Sequence, residues 1–221
     1  DNWNFFGDRQ SLLAKLVITY SDGRTDVVVT DPLSWQYFSE GPIAYGSFFQ
    51  GEVYDALRET AVEGWSMASY DASAWKPAHE VALEGNISTV GNPNMPWVND
   101  YSGFELIGQF GQTVKQINEL TALSVEEVRP GVFVYDMGQN MVGVPRLTFK
   151  GKAGQEITIR FGEMNYPETI PTEPVAPYTI AMYKEKKGQV YTDNYRSALS
   201  TDRYILKGDA AGETYEPRFT F

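Results

Sequence analysis

The 221-residue chain sets 18 Lys and Arg against 29 Asp and Glu, a formal net charge of −11, which disfavours phosphate backbones and anionic membrane surfaces as partners. Zero Cys and a single His, His79, exclude disulfides, zinc–thiolate centres, a Cys nucleophile and any multi-histidine metal site. With 42% hydrophobic and 21% charged residues the chain has a globular composition, long enough for one large or two small domains.

Aromatics make up 14% of the residues, and such side chains suit a pleated surface. The opening DNWNFFGDRQ has no signal-peptide pattern, so for an exported parent the signal would lie upstream. No apolar run approaches the ~20 residues that span a bilayer. Leu12 to Tyr20 alternates apolar residues and reads as a strand; Ser21-Asp22-Gly23 turns the chain, and Asp26 to Thr30 returns as the second half of a hairpin. Trp35 to Tyr45, with Gly41-Pro42, reads as loop and edge structure, Gly51 to Leu57 as a strand, and Ala78 to Leu83 as a short strand. Gly91 to Tyr101 holds two Pro, one Gly and three Asn, and reads as a linker or long ordered loop.

Further strands are expected over 113–117, 125–129, 132–136, 144–149, 156–161, 189–192 and 203–207, most of them separated by Gly or Pro turns. Residues 167–177, with four Pro, should form an exposed excursion. A short turn of helix is expected within 179–187. Many short strands with Gly and Pro punctuation predict an all-β chain of β-sandwich type with little helix.

A glycosidase needs two carboxylates flanking the scissile bond. Glu52, Asp55, Asp136 and Glu163 stand near strand ends, yet nothing in their spacing marks a pair, and no catalytic residue is assigned. His79, beside a predicted strand, reads as structural. In VYDMGQNMVG (135–143 with Val134) the polar Asp136, Gln139 and Asn140 could ligate a hard cation or bind sugar, but read better as ties for a tight turn around Gly138. Asn86-Ile87-Ser88 matches a glycosylation acceptor. Phosphate-binding glycine loops are absent, so no nucleotide cofactor is expected.

Three strings, in order, carry a resemblance: WQYFSEGPIAYGSFFQGEVYDAL, VFVYDMGQNMVGVPRLTFKGKAGQEITIRFGE and DNYRSALSTDRYILKG…ETYEPRFTF. Together they resemble the non-catalytic β-domains of bacterial α-L-rhamnosidases. Trp35, Gly41, Pro42, Ile43, Gly51, Glu52, Tyr54, Asp55 and Ala56 carry the first match. The resemblance implies an N-terminal rhamnosidase-type sandwich lacking its beginning (1–90), then a concanavalin-like, jelly-roll sandwich (91–221) ending just before a catalytic (α/α)-barrel. Some relatives hold a calcium-assisted rhamnose-binding module in this region; the acidic oxygen expected near Ser47 is missing here, so no metal site and no cofactor, calcium included, is assigned. The family's usual Arg after Tyr-Asp-Ala is Leu57.

The expected function is therefore accessory: support of the downstream catalytic barrel of the same parent chain and shaping of its substrate access. The alternative is a module for rhamnosylated glycans, with Trp35, Tyr45, Phe48, Phe49 and Trp97 as stacking platforms and Glu52 and Asp55 as hydrogen-bond acceptors. An extracytoplasmic parent, periplasmic or secreted, is the favoured setting. Neither nucleic acid nor a membrane is an expected partner.

Overall fold

The computed structural model describes residues 9–82, 101–105, 107–108, 110–166, 185–196 and 198–221, together with the backbone of 86–88 and 97–99. The chain is all-β: fourteen short strands are described, and among the described residues helix is confined to short 3-10 turns and residues 185–186. Two compact units form, one from residues 1–39 and 62–111, the other from 40–61 and 112–221. The unit made mostly of C-terminal residues thus also contains the segment 40–61.

In the first unit, β1 (Lys15–Thr19) and β2 (Thr25–Val29) pair antiparallel, with Leu16 opposite Val28 and Val17 opposite Val27. Gly23, at φ +85°, makes the turn, and the Asp22 carboxylate accepts both the amide and the Nε–H of Arg24, which holds it below the usual carboxylate range. Further along, β3 (Gln36–Tyr37) pairs with β6 (Lys76–Pro77), and β7 (Asn86–Ser88) with β8 (Trp97–Asn99). Phe38 stacks on Trp75, whose indole N–H donates to the Tyr70 hydroxyl.

The second unit holds the core. Its main sheet runs β12 (Glu156–Arg160), β13 (Thr201–Ile205), β5 (Gly51–Asp55), β4 (Ile43–Ser47), with β13 and β5 parallel and the other pairs antiparallel. Beside it, β9 (Ser124–Arg129) pairs with β10 (Val132–Asp136), and β11 (Leu147–Phe149) with β14 (Glu213–Tyr215). Alternation along β13 turns Asp202 and Tyr204 inward and Arg203 outward. Tyr204, Leu206, Tyr215 and Ala56 form the buried cluster, flanked by Tyr54, Phe149, Ile157 and Ile159.

Several expectations need correction. Residues 113–117 form no strand, and Val114 and Ile117 stand 84% and 94% exposed; among the described residues their β-forming composition finds no neighbouring backbone to pair with. The described part of 78–83 likewise forms no strand; the Ala78 amide reaches the Trp35 carbonyl, and the Ala82 carbonyl accepts from Arg9 Nη1. The strand expected at 189–192 reduces to a single bridge between Val190 and Asn165. Within 35–45, read as loop and edge structure, β4 forms the edge strand of the main sheet, because after Gly41-Pro42 the backbone of Ile43 and Tyr45 pairs with β5. A 3-10 helix over Ala56–Val62 follows β5, its start held by the Asp55 carboxylate on the Leu57 amide. β14 is too short, at three residues, to leave a pattern.

The excursion expected over 167–177, most of the helical turn expected within 179–187, and residues 91–96 and 100 of the expected linker lie outside the described residues; within that linker Trp97–Asn99 forms β8. On either side of residues 167–184 the Tyr166 amide donates to the Gln189 carbonyl and the Tyr191 amide to the Met164 carbonyl. Among the described residues no helix is long and apolar enough to cross a membrane.

Candidate functional site

Glu52 is the second residue of β5, a position where a carboxylate on an ordinary sheet surface would meet water. Here it is fully buried. Its two oxygens accept from Arg218 Nη1 at 3.1 and 3.2 Å, and Oε1 also accepts from the Tyr215 hydroxyl at 3.0 Å. The Glu52 amide donates to Asp202 Oδ1 at 2.7 Å. Four groups far apart in sequence therefore converge at the start of β5.

Gly51 makes that approach possible. Its φ is +103°, and a Cβ there would stand 2.1 Å from the Thr201 carbonyl oxygen and 2.9 Å from Asp202 Oδ1. Only glycine brings β5 this close to β13 in this conformation. On the other side of the cluster, Tyr54 lies in stacked contact with Tyr204 at 5.6 Å, and Arg218 sits over the Tyr54 ring at 5.7 Å.

A second buried carboxylate, Glu213, accepts from the amides of Lys207, Gly208 and Asp209 and from the Tyr204 hydroxyl. Burial pushes its carboxyl up, but the three amides and the phenol outweigh that and hold it below its ordinary value. Burial and a bond to Glu59 push the Tyr54 phenol up to about 12; burial likewise raises Tyr204, bonded to Glu213, and Tyr215, beside Asp202 and Glu52. All three remain neutral donors at any ordinary pH.

The residues named from sequence fall into different surroundings. Glu52 points inward with both oxygens engaged. Asp55 accepts from the Leu57 amide at 3.1 Å and from Arg58 Nε at 3.1 Å, capping the 3-10 helix. Asp136 accepts from the Gly138 amide, the tight turn read from VYDMGQNMVG. Glu163 is exposed in a bend. In the first unit, Trp35 is half-buried and His79 lies edge-on to Tyr37. The Trp97 side chain lies outside the described residues; only its backbone, in β8, is described.

Tyr45, Phe48 and Phe49 share one end of the main sheet. Tyr45 is 38% exposed on β4, and Phe48 and Phe49, in the β4–β5 turn, are 79% and 56% exposed. Phe48 meets Phe219 edge-on at 5.2 Å. The Phe49 carbonyl accepts from the Ser200 amide, which places Leu199, 62% exposed, beside this turn. The result is an apolar lip at the β4–β5 turn. Among the described residues, no three Asp, Glu or His side chains cluster in a way that could hold a metal ion.

Asp202, Tyr215, Arg218 and Glu213 were not singled out by sequence reasoning. They lie in the third string, within STDRY and ETYEPR, where the available signal was an acidic residue alternating with Tyr in short strands.

Comparison with known proteins agrees with this architecture. Residues 1–98 match the α-L-rhamnosidase N-terminal domain, and residues 126–221 the bacterial α-L-rhamnosidase concanavalin-like domain. An α-L-rhamnosidase of Streptomyces avermitilis is 37% identical over 216 residues, 98% of this chain and 17% of the relative. One from Alteromonas sp. (strain LOR) is 36% identical over 209 residues, 95% of this chain and 18% of the relative. The crystal structure of the Streptomyces avermitilis α-L-rhamnosidase complexed with L-rhamnose superposes with a TM-score of 0.59 at 33% identity, over 94% of this chain and 16% of that one.

Proposed function

Since the chain belongs to the α-L-rhamnosidase family, matching its N-terminal and concanavalin-like domains while spanning less than a fifth of its relatives' length, we propose that it serves as the accessory β-portion of a glycoside hydrolase acting on terminal α-L-rhamnosyl groups. In this reading it supports a catalytic (α/α)-barrel of the same parent chain and shapes access to its cleft. The observation that carries the reading is the use made of the carboxylates near strand ends. Of the four, Glu52 and Asp55 are engaged by an ion pair and a helix start, Asp136 ties a turn, and Glu163 stands exposed in a bend, whereas a glycosidase needs two carboxyls set together at the substrate. The apolar lip of Phe48, Phe49 and Leu199 is then a docking edge. Hydrolysis of an aryl α-L-rhamnoside tests the reading: the chain alone should show none, and turnover by it would overturn the accessory role.

A second reading rests on the same lip. Exposed aromatic faces flanked by polar residues suit sugar stacking, and a relative's structure was solved with L-rhamnose. Under this reading Tyr45, Phe48 and Phe49 contact a rhamnosylated glycan. Calorimetric titration with L-rhamnose, with and without calcium, separates the two. Saturable heat abolished by Phe49→Ala favours binding; no heat up to high millimolar sugar favours the scaffold.

A further inference from the structure

The carboxyls of Glu52 and Asp202 are both fully buried in the second unit, joined through the Glu52 amide. Glu52 is matched by Arg218 and the Tyr215 hydroxyl. Asp202 is not: Oδ1 accepts the Glu52 amide, while Oδ2 is buried with no hydrogen-bond partner. The titratable and charged groups facing Asp202 are Glu52 from β5 and Tyr215 from β14, with Arg218 beyond Glu52. From β12 the opposing residue is Ile159, which carries no charge, and the Arg203–Glu156 pair lies on the outward face of β13. The site thus offers two carboxyls and one guanidinium, itself half-exposed. A carboxylate at Asp202 would leave buried negative charge unmatched, whereas a neutral acid leaves only a hydroxyl unmatched, the smaller cost.

We propose that Asp202 is a proton-operated latch: it is held as a neutral carboxylic acid in the folded chain, and loss of its proton loosens the junction of β5, β13 and the Tyr215–Arg218 segment. At the junction, strands 150 residues apart are paired through their backbones, and the Asp202 carboxyl adds one bond to this pairing, at the Glu52 amide. Ionisation adds a second negative charge beside Glu52 without adding a donor. Repulsion then acts where Gly51 has let the two backbones approach most closely. Burial, with the Glu52 charge adding to it and outweighing the amide bond, pushes the Asp202 carboxyl up to about 6. The device goes beyond the accessory reading and does not depend on it.

The test is a carboxyl-carbon NMR titration of the full chain labelled at Asp, followed together with the Glu52 amide proton. One carboxyl should titrate near pH 6 rather than below 4, and the Glu52 amide should move with the same midpoint. If every Asp carboxyl titrates in the ordinary range, the proposal is overturned. Thermal melts of Asp202→Asn provide the second measurement. Its midpoint should gain on wild type as pH rises from 4 to 7; a difference that is constant, or that grows against the variant, overturns the latch. Should the variant fail to fold, the titration of the wild-type chain decides alone.

Discussion

At the residue scale, Gly51 and Glu52 explain each other. A side chain at Gly51 meets the Thr201 carbonyl whichever rotamer it adopts, because Cβ itself is the clashing atom. Gly51→Ala should therefore cost about 3 kcal/mol or more, combining backbone strain with displacement of β5 from β13; urea unfolding measures it. Arg218→Ala strips Glu52 of its cation and leaves a buried carboxylate with the Tyr215 hydroxyl, a loss of about 3 kcal/mol. Glu52→Gln should cost less, on the order of 1–3 kcal/mol, since the freed guanidinium is half-exposed and can regain water. If Glu52→Gln proved the more damaging of the two, the order of these costs, and the view that charge burial sets them, would be wrong. Glu52 was legible in the sequence as a distinctive acidic residue, but not its burial: an alternating strand has two faces, and the sequence does not label the inner one.

At the element scale, short strands are fixed by ties across the chain. The turn after β13 is held by one carboxylate, Glu213, that collects three amides. Its folded pKa lies below its ordinary value, so its contribution is fully present above that ordinary value and is lost as pH falls through the folded one. Glu213→Gln should lower stability by about 1–3 kcal/mol at neutral pH, and the gap to wild type should close in acid. A melt series from pH 7 to 3 checks this. The long alternating pairs β1–β2 and β9–β10 were readable because each carries enough β-branched residues around a Gly or Pro-Gly turn. β4 and β14 were not, since their strand state comes from the partners they meet, and 113–117 has a strand's composition without any partner among the described residues.

At the scale of the whole molecule, charge and exposed apolar surface set behaviour. With Asp202 protonated as proposed, its raised pKa makes its contribution fullest below the ordinary Asp value and lost as pH rises through about 6, a span on the order of 3 kcal/mol. Glu213 acts in the opposite sense at lower pH, so maximal stability should fall on the acid side of neutrality. The β1–β2 hairpin exposes Leu16, Val17, Ile18, Val27, Val28 and Val29, with side chains on both faces at least a third open. Such a ribbon is a weak element by itself and a site for association. Leu16→Lys and Val17→Lys, one on each face, should reduce binding of an apolar dye and any self-association seen by sedimentation. Dye binding unchanged in both variants would place the sticky surface elsewhere, with the Phe48–Phe49 lip as the next candidate.

Composition and turn chemistry alone determined that the chain is all-β and lacks cysteine and multi-histidine chemistry, while three motif strings set beside a known family carried the resemblance to rhamnosidase β-domains. These are local properties, written in residue type and spacing. Tertiary structure decided that segment 40–61 packs with the C-terminal residues, and that Gly51, Glu52, Asp202, Tyr215 and Arg218 form one buried junction. The parallel pairing of β5 with β13 joins residues 150 apart, and no local pattern encodes a partner at that distance. The same pairing separates acidic side chains that look alike in sequence, turning Glu52 into a buried structural anion and leaving Phe48 and Phe49 at the surface.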